Sequence, residues 1–227
     1  MSGLLQSFFT LREHLRATAE LAGRPSECVR LLAVSKRQSA LQIRQLFALG
    51  QTSFGESYLQ EALEKMDELS DLAIEWHYIG PLQSNKTRLV ASHFDWVQSI
   101  DSEKLLMRLS KHRPGDLPPL NVLLQINIDN EAQKRGIHAK ELLALAQQTM
   151  ELDGLRLRGL MAIPEHNKAV AEQQQSFKKM ASLFQQIKPI SPYIDTLSMG
   201  MSADLDTAIA AGSTMVRVGT LLFGQRG

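Results

Sequence analysis

The chain has 227 residues, 44% hydrophobic and 22% charged, which suffices for one large folded core and excludes a disordered tail or a membrane span. Its 25 basic and 24 acidic side chains are spread along the whole length and leave a formal net charge of +1, so no electrostatic footprint for nucleic acid or an anionic lipid surface is present. The one cysteine, Cys28, excludes an intramolecular disulfide, suits a reducing compartment and is expected to pack as a small apolar residue.

The amphipathic N-terminus carries Arg12, Glu13 and Glu20 and shows no secretory signal, so the expected location is cytoplasmic. The histidines at 14, 77, 93, 112, 138 and 166 lack the three- or four-residue spacing that puts two ligands on one helix face, and no metal site is expected.

In chain order, Leu4, Phe8, Leu11, Leu15 and Ala19 form the stripe of a first helix, stopped by Gly23 and Pro25. Arg30 to Lys36 reads as a short buried strand ending in an ammonium group. Ser39 and Gln42 have capping-box spacing and open a second helix that runs to Gly50. Thr52 to Phe54 is a brief strand, and Tyr58 to Met66 marks another helix. Ile74 to Ile79 is a strand followed by a helix opening at Pro81. Phe94 to Ile100 is a strand, and Asp101 is expected to cap the helix after it.

The stiff connector Arg113 to Pro119 leads to the strand Leu120 to Ile126, a polar loop from Asn127 to Gly136, and a helix through Leu142, Ala146 and Met150. Leu155 to Ile163 is a strand, and a long helix follows with Phe177, Met180, Phe184 and Ile187 on one side. Tyr193 to Leu197 is expected as a strand, Ser202 to Ala211 as a helix, and Thr214 to Val218 as the last strand before a short turn to Gly224.

Eight short apolar strands alternating with helices predict an α/β fold: one domain, residues 1–227, built as a (β/α)8 TIM-type barrel with an extra N-terminal helix. An open doubly wound sheet would carry a Gly-rich phosphate turn after its first strand, where Ser35, Lys36 and Arg37 stand instead. Gly219 to Gly224 imitates the start of a P-loop, but Gln225 and Arg226 replace its Lys and Ser/Thr, so that motif is a decoy.

Closure would gather Lys36, Ser57, His77, Met161, Ser198, Gly200, Ser202, Arg217, Gly219 and Thr220 near the carboxyl ends of the strands, where barrels do chemistry. Lys36 is either an ordinary surface lysine or a Schiff-base nucleophile. Ser198-Met-Gly-Met-Ser202 and Gly219-Thr220 are either helix caps and turns or a phosphate cradle, the place after the seventh and eighth strands where barrels often hold phosphate. Arg217 faces opposite to Val216 and Val218, either into the barrel mouth or to a surface partner. His77, between Trp76 and Tyr78, is expected to be a packed residue with at most a hydrogen-bonding role. An amine at one end and an anion cradle at the other suit pyridoxal 5'-phosphate (PLP), an aldehyde that carries a phosphate.

Several motifs carry a resemblance that covers Leu31 to Gly224. They are Leu-Leu-Ala-Val-Ser-Lys36, Phe54-Gly-Glu-Ser-Tyr58 with Gln60-Glu61, Trp76-His-Tyr-Ile-Gly80 with Leu82-Gln83 and Asn85-Lys86, Gly159-Leu-Met161, Ser198-Met-Gly-Met-Ser202, and Val216-Arg-Val-Gly219 through Phe223-Gly224. Together they resemble the pyridoxal phosphate homeostasis protein family. The resemblance implies a fold type III barrel that binds PLP as a Schiff base on Lys36, with the phosphate on Ser202, Gly219 and Thr220. It implies storage or delivery of the cofactor inside the cell, with no catalytic residue assigned and no established turnover; apo forms of PLP-dependent enzymes are candidate partners and a monomer is the default. The family pattern has Asn where this chain has Ser57, which shortens any reach to the ring substituents. Lys134 matches a family lysine and is a second candidate amine. The alternative is an amino-acid racemase on the same barrel, which needs a second base that related racemases take from an added β-domain; only Gly219 to Gly227 follows the last strand here.

Overall fold

Strand pairing runs unbroken around the molecule. The structure is a computed structural model and describes residues 3–129, 131, 133–164 and 169–224; His166, Gln225 and Arg226 lie outside them. Its elements are α1 (Gly3–Leu21), β1 (Arg30–Val34), α2 (Ala40–Ala48), β2 (Ser53–Glu56), α3 (Leu59–Glu68), β3 (Glu75–Tyr78), α4 (Thr87–His93), β4 (Trp96–Ile100) and α5 (Glu103–His112). They continue as β5 (Leu120–Gln125), α6 (Leu142–Met150), β6 (Leu155–Met161), α7 (Val170–Ile187), β7 (Thr196–Ser198), α8 (Leu205–Ala210), β8 (Met215–Val218) and α9 (Thr220–Phe223). All neighbouring strands are parallel, and β1 closes on β8 in the register Arg30 with Met215 through Ala33 with Val218. This is the eight-stranded α/β barrel expected from the alternation.

The outward side chains of the strands, among them Phe54, Val97, Val122 and Val216, are fully buried beneath the helices. Each such side chain contributes about 1.5–3 kcal/mol on leaving water. α1 supplies its stripe as read, with Phe8, Leu11, Leu15 and Ala19 buried, and packs on α8 and α9. Cys28 packs against the same core. The capping box is formed: the Gln42 N–H donates to Ser39 Oγ at 3.3 Å and the Ser39 N–H donates to Gln42 Oε1 at 3.1 Å.

Four local expectations are corrected. No helix opens at Pro81; the chain stays extended through Gln83, the Pro81 carbonyl accepts from the Tyr78 hydroxyl at 3.2 Å, and α4 begins only at Thr87. Asp101 does not cap α5, whose N-cap is Ser102, because its carboxylate turns toward Arg135 at 3.6 Å. The seventh strand starts three residues later than expected, at Thr196, since the Ile194 N–H turns back onto the Ser191 carbonyl. The helix after it begins at Leu205 because the Asp204 carboxylate accepts from the Met201 N–H at 2.6 Å and closes a turn first.

Inside the barrel the side chains are unusually polar for a region that bulky branched residues ordinarily fill. Near the amino ends, Arg30 donates to Thr196 Oγ1 at 2.8 Å, Ser53 donates to Glu75 at 2.9 Å, and Arg158 donates to Asn121 Oδ1 at 3.0 Å. Trp96 lies under both guanidinium groups, 5.1 Å from Arg30 and 4.6 Å from Arg158. A register shift between β5 and β6 coincides with Gly159 at φ +141°, so Arg158 and Met161, three residues apart, both face inward. A Cβ at Gly159 would lie 1.9 Å from the Thr196 carbonyl oxygen, which leaves glycine as the residue for this bulge.

Candidate cofactor site

The carboxyl ends of the strands open onto a cavity of about 370 Å³, within the usual range of small-molecule sites. Lys36, Ser57, Ser202, Arg217, Gly219 and Thr220 line it, so six residues singled out from the sequence meet at one place. Val34, Ile79 and Ile163 supply its apolar wall, and Met201 and Ala203 complete the side near Ser202.

Lys36 sits two residues beyond β1, half-buried, and makes no hydrogen bond or ion pair among the described residues. Its amine therefore has no protein partner to give up when a ligand enters the cavity. The turn that carries it is held from beneath. Lys65 of α3 is buried and donates to the Ser35 carbonyl at 2.8 Å, to Glu56 at 2.8 Å and to Glu61 at 2.5 Å. Ser35 Oγ also donates to Glu56 at 2.7 Å, and the N–H of Arg37 donates to Glu61 at 2.5 Å. Arg37 itself has φ +61°, a left-handed conformation uncommon outside glycine, which turns the chain sharply after Lys36. Burial pushes the Glu56 carboxyl up from its ordinary pKa, against the pull of Lys65 and Ser35.

Arg217 points into the barrel and is buried; of the two orientations open to it, the inward one is taken. Nη1 donates to the Ser198 carbonyl at 2.8 Å and to Ser198 Oγ at 2.7 Å, and Nη2 donates to the Ala162 carbonyl at 2.9 Å. Arginine has five N–H bonds and no acceptor. The Nε–H and the second Nη2–H therefore have no acceptor among the described residues, and the side chain lines the cavity. Desolvation pushes its pKa down to about 10, which leaves it charged at neutral pH. Whatever it meets in the cavity has to accept a hydrogen bond.

Beyond the end of β8, the strand paired with β1, the exposed Thr220 follows Gly219 at the start of α9, and Ser202 Oγ accepts weakly from the Leu221 N–H at 3.4 Å. Both hydroxyls retain protons to donate into the cavity.

The remaining expected site residues lie elsewhere. His77 is fully buried inside the barrel, stacked on Trp96 with ring centres 4.9 Å apart, and bonded to Glu75 at 2.8 Å and to Gln98 at 2.9 Å. Met161 packs against Trp96 and Leu123. Ser198 lies behind Arg217 rather than on the cavity wall. Gly200, at φ +97°, accepts the Arg217 N–H on its carbonyl, and a Cβ there would meet Ala208 at 2.6 Å, so its place is a tight turn. Lys134 lines an adjoining cavity of about 260 Å³ that shares Ile79 and Ile163 with the first, and it pairs with Glu131 at 2.6 Å. Among the described residues, no group of three His, Cys, Asp or Glu side chains could hold a metal ion.

The sequence reading missed Lys65, Glu56 and Glu61 as the support of the Lys36 turn, although Glu61 and Lys65 stand one helical turn apart. It also missed Gln98, whose alternation with Val97 in β4 places it inside the barrel.

An amine without a partner, a buried guanidinium with N–H bonds to spare and two hydroxyls on one wall match a molecule carrying a carbonyl, a ring acceptor and an anion, so the residues present fit PLP. A family model described as alanine racemase, N-terminal domain, matches residues 9–227, and the barrel is of that class. Alanine racemase from Corynebacterium glutamicum has the same fold at 16% identity, with a TM-score of 0.68 over 95% of this chain and 60% of that one.

Nearer relatives narrow the class. A pyridoxal phosphate homeostasis protein from Pasteurella multocida is 49% identical over 225 residues, 97% of this chain and 97% of that protein. PipY of Synechococcus elongatus, solved without PLP, is 36% identical with a TM-score of 0.86 over 96% of this chain and 99% of that one. Its structure with PLP bound is 37% identical with a TM-score of 0.79 over 91% of this chain and 100% of that one. The chain belongs to the pyridoxal phosphate homeostasis protein family.

Proposed function

We propose that this protein binds PLP in the cavity at the carboxyl ends of the strands and takes part in intracellular PLP homeostasis, storing or delivering the cofactor without a catalytic cycle. The observation that carries the reading is the meeting of Lys36, Arg217, Ser202, Gly219 and Thr220 on one cavity of about 370 Å³. Bound PLP supplies an aldehyde carbon that bonds reversibly to a lysine amine. Lys36 provides the attachment point, and the Lys65 clasp holds its turn. Ser202, Thr220 and the Gly219 backbone take the phosphate, and Arg217 directs its two free N–H bonds to an acceptor on the ligand. Val34, Ile79 and Ile163 exclude water from the apolar face of the ring. Ser57 lines the same wall as a short donor and acceptor.

Racemisation needs a second proton carrier across the ring from the lysine. None of the three tyrosines is among the cavity-lining residues described. Tyr78 is buried and donates to Pro81, Tyr193 stacks under Arg156, and Tyr58 lies beneath Arg37. The reading further takes the protein as cytoplasmic and monomeric, with apo forms of PLP-dependent enzymes as recipients. Among the described residues, no helix is long and apolar enough to cross a membrane.

The test is absorption of the purified protein titrated with PLP, before and after borohydride, with the modified peptide located by mass. Label at Lys36, absent in Lys36→Ala, is the expected result. Label spread over surface lysines, with unchanged PLP affinity in Lys36→Ala, would overturn covalent holding.

A further inference from the structure

Arg217 is the cavity-facing end of a hydrogen-bonded chain that crosses the barrel interior. Arg217 Nη1 donates to Ser198 Oγ at 2.7 Å, Ser198 Oγ donates to Gln98 Oε1 at 2.7 Å, Gln98 Nε2 meets His77 Nδ1 at 2.9 Å, and His77 Nε2 meets Glu75 Oε1 at 2.8 Å. Its members come from β8, β7, β4 and β3. Ser198, Gln98, His77 and Arg217 are all buried, the first three fully so.

One set of directions gives every member of the chain a partner. Arginine only donates, so the Ser198 hydroxyl has to accept from it and send its own proton onward. Among the described residues its acceptor is Gln98 Oε1, which turns the amide NH2 toward His77 Nδ1. Nδ1 then holds a lone pair, the ring is neutral, and its one proton sits on Nε2 facing the carboxylate of Glu75. The amide nitrogen also donates to Met215 Sδ at 3.2 Å, so both of its hydrogens have a partner.

We propose that Gln98, backed by His77, is a positioning residue for Arg217, fixing which of its N–H bonds face the cofactor. This inference rests on the reading of the cavity as a PLP site. Neither Gln98 nor His77 is among the residues lining that cavity, so both act through Ser198 and the guanidinium. With the Gln98 oxygen gone, the Ser198 hydroxyl loses its outlet and competes with the guanidinium as a donor. Arg217 then keeps only carbonyl partners and can rotate.

The test titrates PLP into the wild type, Gln98→Met, Ser198→Ala and the double variant, reading the dissociation constant, the absorption maximum of the bound cofactor and the melting temperature. Each single variant is expected to weaken PLP by about tenfold, the scale of one hydrogen bond to a charged group, and to move the absorption maximum. The double variant should be no worse than either single one, because both cut the same chain. The proposal is overturned if Gln98→Met melts lower yet keeps wild-type affinity and maximum, since the chain would then be packing alone. Losses that multiply in the double variant overturn it too. If Gln98→Met does not fold, Gln98→Ala, which removes the same oxygen and leaves Ser198 in place, decides by the same two readouts. A wild-type protein that takes up no PLP refutes the functional reading itself, an outcome distinct from wild-type uptake left intact by Gln98→Met.

Discussion

Lys65 donates to the backbone carbonyl of Ser35 at 2.8 Å, one residue before Lys36, so one lysine amine anchors the turn that presents another. The same amine bridges Glu56 and Glu61, and Glu56 has its second oxygen buried without a partner among the described residues. Lys65→Met would leave Glu56 uncompensated in the barrel wall. Removing one partner of a buried ion pair costs about 3–5 kcal/mol. Because burial already raises the Glu56 pKa, the orphaned carboxyl would take up a proton to limit the damage. Urea unfolding should therefore show a large loss in Lys65→Met and a partial recovery in Lys65→Met/Glu56→Gln. Equal stability of the two variants would show that Glu56 is not the source of the cost.

The hydroxyls of Ser202 and Thr220 make a separate forecast. Ser202 and Thr220 offer hydroxyl donors where an anion would sit, so Ser202→Ala or Thr220→Ala should weaken PLP by roughly tenfold and pyridoxal, which has no phosphate, far less. Parallel titrations of the two ligands measure the difference. Equal weakening would mean that the hydroxyls serve only to hold the two turns, as the Ser202 contact with the Leu221 N–H already does in part.

The barrel and the rim were legible in the sequence for a simple physical reason. Strands covered on both faces are written as apolar runs, and Lys36, Ser202 and Thr220 stand just past such runs. The seventh strand was read too early because Tyr193 and Ile194 look like strand residues, while the Ile194 N–H is spent on a turn to Ser191. His77, Ser198 and Met161 were placed at the rim, yet they lie behind it. A strand of four or five residues says which side chains alternate, but not how far along the axis each one sits. The β6 bulge added to this by inverting the alternation between Arg158 and Met161. The chain from Glu75 to Arg217 could not be read at all, since its links are made only when β3, β4, β7 and β8 close around one axis.

Acid should weaken the fold through that interior. Burial lowers the His77 pKa below its ordinary value, outweighing Glu75 and Asp95, which pull it up, while Arg30 adds to the lowering. Below about pH 6.5 the unfolded chain therefore binds a proton that the folded one refuses, and stability falls with pH by up to ~1.4 kcal/mol per unit. Glu75 acts in the same direction further down. Burial would raise its pKa, but His77, Trp96 and Ser53 bring it from 4.5 to about 2, so its stabilisation is present above 4.5 and is lost as pH falls toward 2. His77→Gln can keep both hydrogen bonds without a titrating ring. Urea midpoints from pH 7.5 to 4.5 should fall less steeply in that variant than in the wild type. Parallel curves would show that His77 charges as readily inside the barrel as in the unfolded chain.

Gly80 couples the wall of the cavity to the backbone beneath it. A Cβ at this position would lie 2.2 Å from the Ser57 carbonyl oxygen, closer than any contact a real side chain keeps. The Gly80 carbonyl in turn accepts from Ser99 Oγ at 2.6 Å, so the glycine cannot easily retreat. Gly80→Ala should therefore push the Ser57 segment, which lines the cavity, and cost about 1–3 kcal/mol of stability, typical of forcing extra volume into a packed site. Gly115 has nothing within 4 Å of its Cβ position, and Gly115→Ala should stay within about 0.5 kcal/mol of wild type, as unencumbered surface changes do. Weaker PLP binding in Gly80→Ala with wild-type binding in Gly115→Ala would tie the loss to the displaced Ser57 wall. Unchanged affinity in both would mean that the Ser57 side of the cavity tolerates the shift and contributes little to holding the ligand.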